Sequence, residues 1–250
     1  MTGEYEISRI VQFIRRDITL LKGSIITGIL VSSIILFLLC LFNMAWDKEL
    51  SSDEFLGCFA LCYFPLGILY TYAICREFQN PKLNHSYLSL PVSTKERITG
   101  KWVNAYVAYT LAFSMLAITV GIFAMIVGTI VFRADFTITS LFSVNYWKVV
   151  LLYLFVQPLF LVGALSFTKN RMGKTLLVLG ILFIGFLIFN FICFGLLNHD
   201  FGIFSGQSSG SNGFDKASQD FSLVGKWFYG LIFGPLMLLV AYLKIKEKEV

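Results

Sequence analysis

The sequence predicts an all-α membrane protein with six transmembrane helices and both ends in the cytoplasm, and three observations carry the prediction. Of the 250 residues, 57% are hydrophobic and 14% charged, where soluble chains average about 45–50% and about 25%. The charges are clumped, leaving six windows free of Asp, Glu, Lys and Arg. The basic residues crowd into alternate gaps between those windows.

A helix that crosses a bilayer needs about 17–25 apolar residues at about 1.5 Å rise each. The windows hold 24 residues between Lys22 and Asp47, 21 between Glu54 and Arg76, 31 between Lys101 and Arg133, and 20 between Lys148 and Lys169. Two more hold 25 between Lys174 and Asp200, with His199 neutral, and 17 between Lys226 and Lys244. They set spans at approximately 24–45, 56–76, 102–132, 149–168, 175–197 and 227–243, within a transmembrane domain of residues 23–250. A buried soluble core accounts for one such window but not for six, and barrel strands would alternate polar and apolar residues. The first apolar run, Ile25 to Phe42, is too long for a signal core and no small-residue cleavage pattern follows it, so it reads as an uncleaved span.

Orientation follows from the positive charges, which accumulate in short cytoplasmic loops. With the N-terminus inside, fifteen of the twenty Lys and Arg residues lie on the cytoplasmic side. The opposite side keeps Lys48, Arg133, Lys148, Lys216 and Lys226 among eight acids. Trp46, Trp102, Trp147 and Trp227 all fall at expected span ends, the headgroup level that amphipathic rings prefer.

Residues 1–22 form the first cytoplasmic element. Ile7, Ile10, Val11, Ile14, Ile18 and Leu21 recur at helical spacing, with Arg9, Arg15, Arg16 and Lys22 on the other side, which predicts an amphipathic helix lying in the membrane interface.

The cytoplasmic loop 77–101, between spans two and three, carries the most local information. Asn80-Pro81 suits a helix start, and Leu83, Tyr87 and Leu90 then share one face. Pro91 stops that short helix. Ser93-Thr94-Lys95-Glu96 is a capping box, from which a second helix runs through Arg97, Ile98 and Lys101 into span three. Two capped helices broken at Pro91 can transmit force; an amphipathic connector resting on the bilayer explains the same residues, and the pattern does not choose between them. His85 lies off the shared face.

Further along, span three is longer than a bilayer requires and is expected to tilt or protrude. Gln157-Pro158 near the middle of span four frees a carbonyl and buries an amide that wants a partner, first of all on another helix. Asn190 in span five invites a hydrogen bond across helices. The short basic turn Lys169–Lys174 makes spans four and five antiparallel neighbours. Residues 198–222 contain Ser205-Gly206-Gln207-Ser208-Ser209-Gly210, a composition of flexible extracytoplasmic linkers. In span six Gly230 and Gly234 have the small-xxx-small spacing of close helix packing.

Other chemistries lack their residues. No charge falls inside the six windows, which counts against proton relays and ion channels. The two histidines, His85 and His199, lie on opposite sides, and no His-Glu-x-x-His segment or acid/base pair is present. Cys58 and Cys62 are one turn apart without the further ligands that a closed metal site needs. With no Gly-x-x-x-x-Gly-Lys-Ser/Thr loop, the chain is expected to be no enzyme, to bind no cofactor or metal of its own, and to have no nucleic-acid partner.

The segment Ser86-Tyr87-Leu88-Ser89-Leu90-Pro91-Val92-Ser93-Thr94-Lys95-Glu96-Arg97 resembles the Leu-Pro-x-Ser-x-x-Glu-Lys stretch of the small six-span permeases of type-2 ATP-binding cassette exporters common in Bacteroidota, with Arg97 in place of the Lys. The N-terminal amphipathic helix, the span count and the loop between spans two and three match as well. The resemblance implies a permease in a bacterial inner membrane, paired with a second permease copy or homologue, in contact with membrane lipids. A separate ATPase subunit would bind ATP and Mg. It makes Leu83, His85, Tyr87, Leu90 and Pro91 the contact candidates of a coupling helix, with Lys95, Glu96 and Arg97 supporting the turn into span three. It places a substrate path near spans two and five. A non-transporting membrane scaffold or regulator and a gradient-driven secondary transporter are the alternatives.

Overall fold

The computed structural model describes residues 7–79, 92–133, 141–167, 169–197 and 234–249, and all of its regular structure is helical. In chain order these are α1 (Ile7–Leu20), α2 (Lys22–Asp47), α3 (Ser52–Ile74) with a 3₁₀ turn (Cys75–Gln79), α4 (Thr94–Val103), a π turn (Asn104–Ala108), α5 (Tyr109–Phe132), α6 (Val144–Ser166), α7 (Arg171–Leu197) and α8 (Gly234–Glu249).

Five helical segments are long and apolar enough to cross a membrane: Lys22–Asp47, Ser52–Glu77, Thr94–Phe132, Val144–Ser166 and Arg171–Phe194. The chain is a multi-pass membrane protein. These five coincide with the first five expected spans. Of the sixth expected span, 227–243, only residues 234–243 are described; they belong to α8, whose 16 residues measure about 24 Å and which is not one of the five. Residues 227–233 lie outside the described residues, as do Gly230 and the loop 198–222.

Local chemistry explains the helix boundaries. Ser51 accepts a hydrogen bond from the Glu54 amide, and its own amide donates to Glu54 Oε2 at 2.9 Å, a reciprocal cap that starts α3. Ser51-x-x-Glu54 is the same sequence signal as Ser93-x-x-Glu96. At α4 the expected box is formed, with Ser93 N to Glu96 Oε2 at 2.8 Å and the Glu96 amide on Ser93 Oγ. From there α4, the π turn and α5 run as one segment of 39 residues, about 58 Å long, in keeping with the excess length of the third window.

Two apolar clusters hold the bundle. One joins α2, α3, α5 and α6 around Leu36, Cys40, Met44, Phe55, Phe59, Tyr63, Phe113 and Tyr153. The other joins α1, α3, α4, α6 and α8 around Phe13, Tyr72, Ile98, Phe160, Leu161, Ala241 and Ile245. The end of the bundle marked by this second cluster is called the base. Close approach there depends on glycine at position 100, where a Cβ would lie 2.8 Å from the Phe13 ring.

The N-terminal helix differs from its expected register. Its buried face is Ile10, Phe13 and Asp17, while Val11 and Ile18, expected on the same face as Ile10, are 58% and 41% exposed. The apolar side is broad, and the part that meets α4 is the edge on which Phe13 fits against Gly100.

Candidate functional site

At the base, beside the apolar cluster, α1, the end of α3 and the last turn of α4 also meet around charge. Lys101 sits on α4 with 1% of its surface exposed. Its ammonium donates to Asp17 Oδ2 at 2.7 Å and to the Ile74 carbonyl at 2.8 Å, and Glu77 Oε2 lies 3.6 Å away. Arg16 donates to both Glu77 oxygens, at 2.6 and 3.3 Å, and is 3.6 Å from Asp17. The Phe13 ring covers the ammonium, 5.1 Å from its centroid.

This lattice answers a need of the backbone. The last carbonyls of an α-helix lose their i+4 donors, and a cation at that position both takes one of them and complements the helix dipole. Lys101 does so at Ile74. Desolvation pushes the Asp17 carboxyl above its ordinary value of 3.8, and the Lys101 charge pulls against that rise.

The lattice flanks the segment expected to couple to a partner. Glu77 precedes it and Lys101 follows it. Leu83, His85, Tyr87, Leu90 and Pro91 themselves lie outside the described residues. Of the supporting residues, Lys95 is exposed, whereas Glu96 and Arg97 are buried to 1% and 3% exposure. Glu96 is held by Ser93, and Arg97 Nε donates to the Val92 carbonyl at 3.1 Å. Both therefore brace the entrance to α4.

Above the base, α3, the π turn and α6 enclose a group of tyrosines. Tyr63 pairs with Thr110 at 2.6 Å, Tyr109 donates to the Tyr63 carbonyl at 2.7 Å, and Tyr153 donates to the Ala105 carbonyl at 3.2 Å. Tyr70 donates to Asn104 Oδ1 at 3.0 Å, while Asn104 Nδ2 is buried without a partner among the described residues. A π turn widens the helix and re-aims its side chains; here it brings Asn104 and Ala105 to α3 and α6. Gly67 makes room for Tyr153, whose Oη would lie 2.5 Å from a Cβ at that position.

The remaining expected residues fare unequally. Gln157 is fully buried, and neither its Oε1 nor its Nε2 has a hydrogen-bond partner among the described residues. Pro158 lies within α6, which continues through it. Asn190 donates to the Phe186 carbonyl of its own helix at 2.8 Å, and among the described residues α7 is exposed along nearly its whole length. Gly234 packs on α6, with Phe155 Cδ1 3.2 Å from the position of a Cβ. Cys58 and Cys62 are free and buried, and no group of three metal-binding side chains occurs among the described residues.

Asp17, Glu77 and Lys101 were not singled out from the sequence. The available signal was Asp17, the one acid in α1, seven residues after Ile10 and four after Phe13. Comparison of the chain with protein-family models, curated proteins and solved structures gives no match.

Proposed function

We propose that this chain is the permease subunit of an ATP-driven exporter in a bacterial inner membrane. It would lie with both ends in the cytoplasm, work with a second permease copy, and take its energy from a separate ATP-binding cassette subunit. The sequence resemblance around Leu90–Arg97 motivates the reading. The observation that carries it is the Lys101 lattice, which ties the chain just before residues 80–91 to the chain just after them and fastens both to α1.

A segment that receives force must be mounted on something stiff. Lys101 joins the last carbonyl of α3 to α1, and the capping box fixes the direction in which α4 leaves the segment. A push on residues 80–91 would then move a 39-residue helix as a lever into the tyrosine-lined interior. For ATP to shift the equilibrium between two membrane states, the nucleotide-bound partner must hold one of them more tightly, and residues 80–91 would be where that difference is applied. The permease would do no covalent chemistry.

The test is purification of the tagged full-length chain from its native cells with identification of co-purifying proteins, alongside a variant carrying Leu83→Asp, Tyr87→Asp and Leu90→Asp. An ATP-binding cassette subunit retained by the native chain and lost from a correctly folded variant supports the reading. A native chain that purifies without such a subunit, and transports in response to an ion gradient or not at all, favours the carrier or scaffold instead.

A further inference from the structure

On the opposite flank of the base, α6 turns into α7 through Asn170, whose φ of 50° is a left-handed conformation that Asn tolerates. Arg171 opens α7, and its guanidinium carbon lies 5.9 Å from the centroid of the Tyr72 ring on α3. Arg171 Nη1 is buried and has no hydrogen-bond or ion-pair partner among the described residues. Tyr72 is 9% exposed, and its hydroxyl is likewise buried and unpartnered. Thr175, one turn into α7, donates its hydroxyl to the Arg171 carbonyl at 2.8 Å; its oxygen lies beside the phenol but outside hydrogen-bond geometry. Arg76 lies within electrostatic reach and adds positive charge instead of relieving it.

Buried donors without an acceptor are costly, and a guanidinium more so than a neutral group. The cation–π contact with Tyr72 accounts for where the guanidinium sits, but it satisfies neither Nη1 nor the phenol. The first amides of α7 have no intrahelical acceptor either and carry the positive end of the helix dipole. A guanidinium N–H, a phenol O–H and a helix N-terminus are the donors that a tetrahedral oxyanion takes up. From these we infer that the junction of α3, α6 and α7 binds a phosphate group.

The phosphate has two available sources, a phospholipid headgroup and a free phosphate ion. The lipid source fits the surface that follows, because Leu176 and Leu177, immediately along α7, are 50% and 62% exposed and would meet acyl chains just below the headgroup. Arg171 then anchors α7 at the membrane boundary, a role independent of any ATPase.

The experiment titrates delipidated full-length protein in detergent with dioleoylphosphatidylglycerol, with dioleoylglycerol as the same chains without phosphate, and with inorganic phosphate against chloride at matched ionic strength. Thermal unfolding and native mass spectrometry are the readouts. Phosphatidylglycerol is expected to bind and raise the unfolding temperature while dioleoylglycerol does neither. Affinity should fall about tenfold to a hundredfold in Arg171→Gln and less in Tyr72→Phe, and stay unchanged in Arg133→Gln, an exposed cation outside the site. A shift with inorganic phosphate as well assigns the site to a free anion; a shift with phosphatidylglycerol alone assigns it to a headgroup. Arg171→Lys, which keeps charge but loses the fork, guards against a misfolded glutamine variant and should bind with intermediate affinity. Equal binding of the two lipids with no phosphate effect, or undiminished phosphatidylglycerol binding in folded Arg171→Gln and Arg171→Lys, overturns the proposal.

Discussion

Lys101 and Asp17, 84 residues apart in the chain, meet at 2.7 Å with both side chains 2% exposed. Removing two charges from water costs several kcal/mol each, and their attraction together with hydrogen bonds to the remaining polar groups must offset it. Here the second acceptor is the Ile74 carbonyl and the flanking charges are Glu77 and Arg16. Stiffness at the base therefore depends on a pair that is expensive to break from one side.

The first prediction concerns that asymmetry. Lys101→Met leaves Asp17 buried with only Arg16 at 3.6 Å, and Asp17→Leu leaves Lys101 with Glu77 at 3.6 Å. Each single change should destabilise the protein by about 3 kcal/mol, the lower end of the range for breaking a buried pair. The double variant should lose markedly less than the sum, which a double-mutant cycle on detergent-solubilised protein measures.

A second prediction follows from the raised Asp17 pKa. Folded Asp17 holds its proton more tightly than unfolded Asp17, so its contribution to stability is full below pH 3.8 and is lost as pH rises through the folded pKa. The stability of the native chain minus that of Asp17→Asn should decline from pH 3.8 upward and then level. Thermal unfolding of both proteins from acid to neutral pH reads the difference, in which the carboxylates outside the lattice cancel.

Third, the capping box at Ser93 sets the start of the long helix. Ser93→Ala should cost about 1 kcal/mol and speed amide exchange in the first turn of α4, leaving α5 unaffected. Glu96→Ala should cost more, because Glu96 is 1% exposed and makes its bonds out of contact with water. Hydrogen exchange followed by mass spectrometry resolves the two turns.

Fourth, Gly67→Ala sets a methyl where the Tyr153 hydroxyl now lies. Tyr153 must shift, giving up its bond to the Ala105 carbonyl at the π turn. Overpacking of this kind costs about 1–3 kcal/mol. Thermal unfolding should show the loss, and pairing with Tyr153→Phe, which has already surrendered that hydroxyl, should make the two effects less than additive.

Much of the fold was legible because charge-free windows are a direct record of solvent. Five windows became five spanning helices, and the Ser93–Glu96 box and the run of α4 into α5 follow the pattern read from residues 93–132. The base was not legible for the same reason. Lys101 is the charge that bounds the third window on its N-terminal side, so counting charges places it in water, whereas its ammonium is sealed under Phe13. Its partner on α1 sits 84 residues away, and no local periodicity connects them. The π turn was invisible too, because Asn104–Ala108 has ordinary helical composition and its departure from the α pattern is decided by contact with Tyr70 and Tyr153. Arg171 and Lys174 read from the sequence only as positive charge beside a span; that Arg171 Nη1 is buried without an acceptor needs the position of Tyr72.

The most direct test of the proposed coupling role places a photo-crosslinking amino acid at Leu83, Tyr87 or Leu90, and separately at the exposed Trp147, in the full-length chain expressed in its native cells. The account predicts crosslinks to an ATP-binding cassette subunit from the first three positions and none from the fourth. Crosslinks from residues 83, 87 and 90 only to lipid or to other membrane proteins, in cells where the chain is folded and functional, would contradict it.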